Sequence, residues 1–300
     1  MIATLLLIMS AGPVSGDAVI KFKAGPSDIV VTTTNRLAGA VHSVTWNGEE
    51  FINSTDHGRQ LQSASSFNLG KPGHWAEAYN PTEAGSRKDH IGPTSTSKVL
   101  SLKATATTLE TKSQMAFWLK PGETSPDPKV PGGHPALNDK ALSNHILTKK
   151  LTLNYKGLAH AMEYDVTFTV PKGELHTLAQ FEAVTGYMPP KFSSFFTFDV
   201  KTHELAPLSD GPGEQKKPIV FSTPDGSHAM GILALDPAPE GMRGPNYGRW
   251  NFKAEKVVKW NCVYRLKNDD GVPAGDYHFR MAVVVGSQEN VRVTLGQLLK

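Results

Sequence analysis

Hydrophobic and polar residues alternate along most of this chain. Ala18–Lys23 alternates throughout, Asp28–Thr34 is rich in β-branched residues, and Gly275–Val285 alternates before it becomes fully apolar. Alternation is typical of a strand with one buried face, and a short apolar run is typical of a strand buried on both faces. The same signals predict further strands at 98–104, 111–120, 145–153, 161–170, 177–185, 193–200, 219–222, 228–235 and 256–265.

One hairpin and one helix have signals of their own. Asn47-Gly48 separates the strand-like run Gly39–Trp46 from Glu50–Ile52. Asn-Gly at such a place favours a type I′ turn, so the sequence predicts a hairpin. Only Ser287–Leu299 has apolar residues at helical spacing, with Ser287 as the candidate N-cap.

The remaining segments are rich in glycine and proline. Loops are predicted at Pro121–Asp139, Gly211–Lys217 and Pro237–Tyr247. Many short strands separated by turns predict an all-β protein, a large antiparallel sandwich or barrel with few helices. Sandwiches of this size occur as one domain, so residues 17–300 are predicted to form a single domain.

Charge and cysteine content narrow the class of protein. The net charge is +3, from 31 basic and 28 acidic residues, and no run of Lys and Arg is interleaved with aromatic residues. This balance predicts no nucleic-acid partner. Cys262 is the one cysteine, so the chain has no internal disulfide, and its apolar neighbours indicate a buried thiol.

The N-terminus resembles a secretory signal. Ile2–Met9 is apolar and is followed by small residues up to Gly16. The run is shorter than the roughly 20 residues that cross a bilayer, so no membrane span is predicted. We expect residues 1–16 to be a signal peptide and the protein to be secreted or periplasmic. A buried first strand is the alternative.

Hydrogen-bonding side chains and aromatic rings are concentrated between Thr45 and Gly85. The group comprises Asp56, His57, Arg59, Gln60, Gln62, Asn68, His74, Trp75, Glu77, Tyr79, Asn80 and Glu83. Donors and acceptors in this density suit a ligand with many hydroxyl groups. The sequence therefore predicts a carbohydrate site.

Several of these residues have a specific chemical use. His57 and His145 could transfer protons near neutral pH, Arg59 could bind a carboxylate, and Glu83 could act as a base. Substrate binding is predicted for Gln60, Gln62, His74, Trp75, Asn80 and Arg87. The structural alternative pairs Arg59 with Asp56 and Glu83 with Arg87, and leaves the aromatic rings in the core.

The order of these features resembles the galactose-mutarotase-like superfamily. Gly39–Ile52 is similar to its early hairpin, and Asp56–Arg59, which reads Asp-His-Gly-Arg, is similar to its His/Arg loop. Gly226–Leu235 and Trp260–Val285 are similar to later core strands and to the closing strands. The resemblance implies a large antiparallel β-supersandwich and chemistry on a sugar ring.

The same resemblance implies that the central strand and the loop after it supply a catalytic group. Glu182 and Tyr187 stand there, and Tyr187 would serve as a phenolic acid in a lyase. The aldose 1-epimerase pattern of a His followed by Pro-Tyr-Phe-Asn is absent, and Glu182–Pro189 stands in its place. This difference argues against ordinary epimerase activity.

The preferred hypothesis is a lyase that acts on a glycan containing uronate. Arg59, or Arg87 with Asn80, would neutralise the uronate carboxylate, which lowers the pKa of the neighbouring C–H group. His57 or Tyr187 would then remove the proton. An acidic polysaccharide is the corresponding substrate.

Two further hypotheses stay open. An epimerase or a glycoside hydrolase would use a carboxylate pair such as Glu83 and Glu182. A non-catalytic carbohydrate-binding protein would present the same polar groove without a reactive group. No close histidine pair suggests a transition metal and no nucleotide motif occurs, so no cofactor is predicted, although loop oxygens would suit a structural Ca²⁺.

Overall fold

The computed structural model describes residues 14–300, so the apolar run Ile2–Met9 lies outside the described residues. The first described segment is hydrogen-bonded to the body of the protein. Gly16 N donates to Asn35 Oδ1 (3.2 Å), and Thr33 Oγ1 donates to the Gly16 carbonyl (2.8 Å).

Strands make up most of the described chain. They are, in chain order, β1 Ala18–Ala24, β2 Ser27–Thr33, β3 Val41–Trp46, β4 Glu49–Glu50, β5 Leu61–Phe67, β6 Pro81–Thr82, β7 Lys98–Ala104, β8 Thr108–Phe117, β9 Thr124–Ser125, β10 His134–Pro135, β11 Leu142–Leu153, β12 Ala161–Val170, β13 Leu178–Met188, β14 Ser194–Phe198, β15 Leu205–Leu208, β16 Gly213–Gln215, β17 Ile219–Ser222, β18 Ala229–Ala234, β19 Met242–Phe252, β20 Val257–Lys267 and β21 Gly275–Gly286. The helical segments are α1 Gln288–Leu298 and 3₁₀ turns at Asn35–Leu37, Arg87–Asp89 and Tyr155–Gly157.

These strands pair antiparallel in two layers. One layer runs in the spatial order β1-β2-β3-β5-β13-β20-β19-β16, with β4 paired to β3. The other runs β7-β8-β11-β12-β21-β18-β17-β14-β15. The short strand β6 pairs with both β5 and β8 and connects the layers. The predicted all-β antiparallel sandwich is confirmed.

The core lies between the two layers and follows from the alternation in the sequence. On β12, Tyr164, Val166 and Phe168 are buried, and the residues between them are partly exposed. The helix α1 packs outside the second layer, against β18 and β21. Its N-cap is Ser287, whose hydroxyl accepts from Asn290 N (3.1 Å).

The hairpin prediction is confirmed, and each of the three loop predictions is wrong in part. Asn47 and Gly48 have φ angles of 50° and 78°, as a type I′ turn requires. β19 begins at Met242 within the predicted loop 237–247, and β16 lies within the predicted loop 211–217. The short strands β9 and β10 pair with each other within the predicted loop 121–139. The β19 pairing is irregular between Arg243 and Asn246, at Gly244-Pro245, so the glycine and proline mark a bulge in a strand rather than a loop.

The sequence also gave no signal for β5, the strand beside the centre of the first layer. It reads Leu-Gln-Ser-Ala-Ser-Ser-Phe, without hydrophobic alternation, and each of its residues is buried. Loop residues, among them Gly58, Glu77 and Trp118, border its outer face. This strand carries one side of the cavity described below.

A buried ion pair crosses the interior between the layers. Lys149, on β11, contacts the Glu83 carboxylate directly after β6, and their side chains are 0% and 1% exposed. Ser63 N also donates to Glu83 Oε2 (3.0 Å), and the Lys149 ammonium lies 5.8 Å from the centre of the Tyr164 ring. Glu83 was predicted to be catalytic or paired with Arg87. It lies instead in the core, where a carboxylate requires a charged partner.

Removing one member of this pair would leave a buried charge without compensation. We therefore expect Lys149→Ala to lower the free energy of unfolding by about 3–5 kcal/mol, measured by urea denaturation. Lys150→Ala is the matched control, because Lys150 is 50% exposed and pairs with Glu110 at the surface (3.1 Å). It should cost about 0–1 kcal/mol. Equal losses in the two variants would contradict a structural role for the buried pair.

Candidate functional site

A cavity of about 180 Å³ opens on the outer face of the first layer, where β5, β13 and β20 lie side by side. Its floor consists of strand side chains, including Gln62, Gln180, Glu182, Thr185, Tyr187 and Lys259. Its walls include the loop residues Gly58, Glu77, Asn80 and Trp118. Amide, hydroxyl and carboxylate groups beside an indole ring provide polar groups for hydroxyls and an apolar face for a ring.

A bulge in β13 brings its polar residues to one face. Simple alternation would place Gln180 and Glu182 on the cavity side and the odd-numbered residues in the core. The pairing with β5 shifts register between Glu182 and Thr185, which inserts one extra residue. Thr185 and Tyr187 therefore share a face with Glu182, and Ala183 is buried.

The carboxylate of Glu182 is fixed by two neighbours on β20. Lys259 Nζ lies 3.4 and 3.3 Å from its two oxygens, and Asn261 Nδ2 donates to Oε1 (3.0 Å). In the register of the two strands, Lys259 stands opposite Tyr187. The ammonium is 5.2 Å from the centre of the Tyr187 ring and 5.0 Å from that of Trp250.

This environment sets the charge of the floor at neutral pH. Burial alone lowers the pKa of Lys259, but the Glu182 carboxylate and the Tyr187 hydroxyl outweigh burial and raise that pKa above its usual value. Burial raises the pKa of Tyr187, although Lys259 opposes the shift. Lys259 is therefore charged and Tyr187 keeps its proton, so Tyr187 is a hydrogen-bond donor and not a base.

The walls are also held by specific contacts. Ser125 Oγ donates to Glu77 Oε2 (2.5 Å) and accepts from Trp75 Nε1 (2.8 Å). Trp118 covers Gly58 so closely that a Cβ there would lie 2.6 Å from the indole Cη2. Any side chain at position 58 would displace this wall.

The structure brings four of the predicted site residues to the cavity: Gln62, Asn80, Glu182 and Tyr187. Gln62 Nε2 donates to the Gly58 carbonyl (3.1 Å), and Asn80 Nδ2 donates to that of Ser65 (2.5 Å). Ala84 N also donates to Gln62 Oε1 (3.2 Å), so Gln62 keeps its second N–H for another partner, and Asn80 keeps its oxygen and its second N–H.

The predicted His/Arg pair lies elsewhere. His57 is 1% exposed, and its ring nitrogens face the carbonyls of His90 (2.7 Å) and Arg36 (2.9 Å). Arg59 pairs with Asp56 (3.1 Å), as the structural alternative proposed. Neither side chain lines the cavity, because the fold uses both to fix loops.

Other predicted residues are likewise held by the protein itself. Gln60 is buried and donates to Ser54 Oγ (3.1 Å). Arg87 pairs with Glu123 (2.9 Å) and not with Glu83. Both side chains fix loops near the cavity without lining it.

His74 and Trp75 lie next to the cavity. His74 Nε2 contacts the hydroxyl of Ser66 (3.0 Å), which lines it, and burial lowers the pKa of His74. Trp75 stacks on His134 with ring centres 4.2 Å apart. One face of the indole expected to bind a sugar is therefore covered by another ring.

His145 belongs to a buried cluster with Glu174 and His176. Glu174 Oε2 lies 2.9 Å from His145 Nε2 and 2.8 Å from His176 Nε2. Their possible ligand atoms lie within 4.8 Å of one another, a spacing that a metal ion could use. However, Leu69 N donates to His176 Nδ1 (3.2 Å), so the ring proton of His176 is on Nε2 and points at Glu174. The cluster therefore suits a hydrogen-bond network better than a metal.

Glu77, one of the polar residues singled out in the sequence, also lines the cavity, whereas sequence reasoning missed Lys259, Asn261, Gln180 and Trp118. Two of them had a usable signal. Lys259 and Asn261 are isolated polar residues in the apolar run Val257–Val263. Polar residues at such positions mark the solvent face of a strand. Gln180 and Trp118 become recognisable only when the cavity is known.

Comparison with known proteins gives a fold. No protein-family model matches this sequence, and no curated protein sequence matches it. Among solved structures, an α-mannosidase from Enterococcus faecalis V583 is 9% identical with a TM-score of 0.51, covering 93% of this chain and 30% of that chain. A glycosyl hydrolase family 38 protein from Enterococcus faecalis is 10% identical with a TM-score of 0.51, covering 93% and 31% respectively.

The protein Slr1438 from Synechocystis sp. PCC 6803 is 11% identical, with 94% of this chain and 100% of that chain covered at a TM-score of 0.44. This chain spans about a third of the length of the two Enterococcus proteins. At such low identity the likeness concerns the fold alone. The large antiparallel β-sandwich predicted from the sequence is confirmed at that level. No helix within residues 14–300 combines the length and hydrophobicity needed to cross a membrane.

Because of the His145–Glu174–His176 cluster, we expect the free energy of unfolding to fall in acid. Burial opposes the charge of Glu174, but hydrogen bonds from the two histidines lower its pKa to about 2. An unfolded Glu takes up its proton near pH 4.3. The contribution of ionised Glu174 to the free energy of unfolding is therefore fully present above about pH 4.3 and is lost as the pH falls toward 2. Burial also lowers the pKa of His145, so the loss begins below about pH 6.5, where an unfolded His is protonated.

Urea denaturation across this pH range provides the measurement. In Glu174→Gln, the free energy of unfolding should change less with pH between about pH 4.3 and 2 than in the wild type, because the substitution removes the titrating carboxylate. Glu110→Gln, at an exposed position, should leave the pH dependence of the free energy of unfolding as it is in the wild type. The assignment would be wrong if Glu174→Gln and the wild type lost stability in parallel over that interval.

Proposed function

We propose that this protein is a carbohydrate-active enzyme and that the cavity above β5, β13 and β20 is its active site. The observation that carries the proposal is the Glu182 carboxylate, fixed by Lys259 and Asn261 on the floor of a cavity lined by amides and hydroxyls. The cavity has a volume of about 180 Å³, below the roughly 300–1,000 Å³ of sites for drug-sized ligands. This smaller volume suits a single sugar ring.

The charges of the cavity favour a neutral sugar. Arg59 and Arg87, the cations expected to bind a uronate, pair with Asp56 and Glu123 away from the cavity. Among the described residues lining it, Lys259 is the one cation, and Glu182 already neutralises it. With Glu77 also present, the cavity has no net positive charge to attract an acidic substrate.

The proposed chemistry is general acid–base catalysis with a carboxylate pair. Glu182 and Glu77 both line the cavity, and Tyr187 keeps its proton and can donate it to a sugar oxygen. Glycoside hydrolysis and epimerisation both use groups of this type. A solved structure with the same fold is described as an α-mannosidase, which supports a glycosidic substrate for this chain.

Lysis of a uronate glycan is a second candidate, favoured by the contact between Lys259 and Tyr187. A uronate carboxylate would displace Glu182 and bind the Lys259 ammonium. It would then lie beside Tyr187, because that ammonium is 5.2 Å from the centre of the Tyr187 ring. In that arrangement Lys259 replaces Arg59 and Arg87 as the group that neutralises the uronate. The displaced Glu182 carboxylate would take the proton next to the uronate carboxylate, and Tyr187 would donate its proton to the leaving glycosidic oxygen as the C–O bond breaks. The unsaturated product absorbs ultraviolet light.

A panel of neutral glycosides, reducing sugars and uronate polymers tests these reactions together. We expect release of reducing sugar or change of anomeric configuration with a neutral substrate, and no rise in ultraviolet absorbance. A rise with a uronate polymer would favour the lyase. Binding without turnover on the whole panel would favour the non-catalytic carbohydrate-binding protein instead.

The carboxylate of Glu182 gives the most direct test by mutation. With a substrate from that panel, Glu182→Gln should lower kcat by about 10²–10⁴-fold, because the amide cannot take up a proton. Glu110→Gln, far from the cavity on an exposed part of β8, should keep wild-type kcat. Unchanged turnover in Glu182→Gln would remove Glu182 from the proposed mechanism.

We further propose that the chain is exported. The apolar run Ile2–Met9, followed by small residues up to Gly16, supports this proposal. Expression of the full chain, with the N-terminus of the mature protein determined by mass spectrometry, tests it. An intact N-terminus in the exporting host would contradict cleavage near Gly16.

A further inference from the structure

The position of Tyr187 depends on the bulge in β13. A single residue of β5 lies opposite this bulge. Between the pairs Glu182–Ala64 and Thr185–Gln62, β5 contributes one residue, Ser63, and β13 contributes two. Two residues opposite one define a β-bulge, and a bulge leaves part of the regular hydrogen-bonding ladder unpaired.

The side chain of Ser63 replaces the missing ladder bond. Its hydroxyl donates to the carbonyl of Ala183, the bulged residue, at 2.7 Å, and lies 3.3 Å from the Tyr164 hydroxyl. All three residues are buried, so no solvent is available to take over this carbonyl. A buried carbonyl without a partner is costly, and a protein therefore rearranges to avoid one.

Ser63 is itself held from the other side of the core. Glu83 N donates to the Ser63 carbonyl (3.1 Å), and Ser63 N donates to Glu83 Oε2 (3.0 Å). Lys149, from the second layer, neutralises the same carboxylate. A continuous set of buried contacts therefore runs from β11 through Glu83 and Ser63 to the bulge under the cavity.

We propose that Ser63 is a positioning residue for the cavity. By fixing the Ala183 carbonyl, its hydroxyl maintains the bulge that places Thr185 and Tyr187 on the face of Glu182. The residue never contacts the ligand and acts through the backbone of β13. The functional part of this inference rests on the proposed function, and the structural part does not.

The crystal structure of Ser63→Ala provides the first test. We expect the register of β13 against β5 to change at Ala183, and the 3.3 Å contact between Lys259 and Glu182 to lengthen beyond the roughly 4 Å limit of an ion pair. Ser113→Ala is the matched control, because its hydroxyl is buried on β8 without a hydrogen-bond partner among the described residues. An unchanged bulge and an unchanged contact in Ser63→Ala would overturn the proposal.

Turnover provides the second test, with a substrate found on the glycan panel. Ser63→Ala should lower kcat at least about tenfold with little change in KM, since a misplacement near 1 Å can cost about 10²-fold. Ser113→Ala should keep wild-type kcat, and Ser63→Thr, which retains the hydroxyl, should restore most of it. A purely structural role for Ser63 would lower the melting temperature without this separation of kcat from KM.

The two tests fail in distinguishable ways. If the wild type turns over no sugar, the proposed function is wrong, and the crystal structure still decides whether Ser63 maintains the bulge. Should Ser63→Ala not fold, Ser63→Cys keeps the shape of the side chain with a weaker donor. A Ser63→Cys structure with the wild-type bulge and wild-type kcat would overturn the proposal as well.

Discussion

The buried carboxylate of Glu83 is the constraint on which the centre of this protein depends. A carboxylate between two β-layers requires a cation and further hydrogen bonds, and it takes them from opposite sides of the core. Lys149 supplies the charge from the second layer, and Ser63 supplies a backbone N–H from the first. The relative position of the two layers and of β5 is therefore fixed by charge as well as by apolar packing.

Buried ion pairs are weak evidence for stability, because apolar residues of the same volume often serve equally well. Here the pair has a second consequence. It holds Ser63, and Ser63 satisfies the carbonyl of the bulge at Ala183. The bulge in turn shifts the alternation of β13, so that Glu182 and Tyr187 face the same cavity. Interior electrostatics and surface chemistry are thus connected through one strand.

The electrostatics of the cavity also changed the expected substrate. The arginines that suggested an acidic glycan are paired with carboxylates of the protein itself, Arg59 with Asp56 and Arg87 with Glu123. Lys259, which the sequence did not single out, is the cation of the floor and is neutralised by Glu182. A patch of polar residues in a sequence therefore predicts hydrogen-bonding capacity well, but it does not predict which charges remain free.

The sequence by itself determined the fold class, the Asn47-Gly48 hairpin and the strands with clear alternation, because burial of one strand face is a local pattern. It also singled out Gln62, Asn80 and Glu182, which line the cavity. Only the tertiary structure revealed β5, whose small polar residues are all buried although they show no hydrophobic alternation. Only the tertiary structure placed His57 between the carbonyls of His90 and Arg36, away from the cavity. The physical reason is the same in each case: pairing of charges, cover by loops and the phase of a bulged strand depend on contacts between residues far apart in the chain.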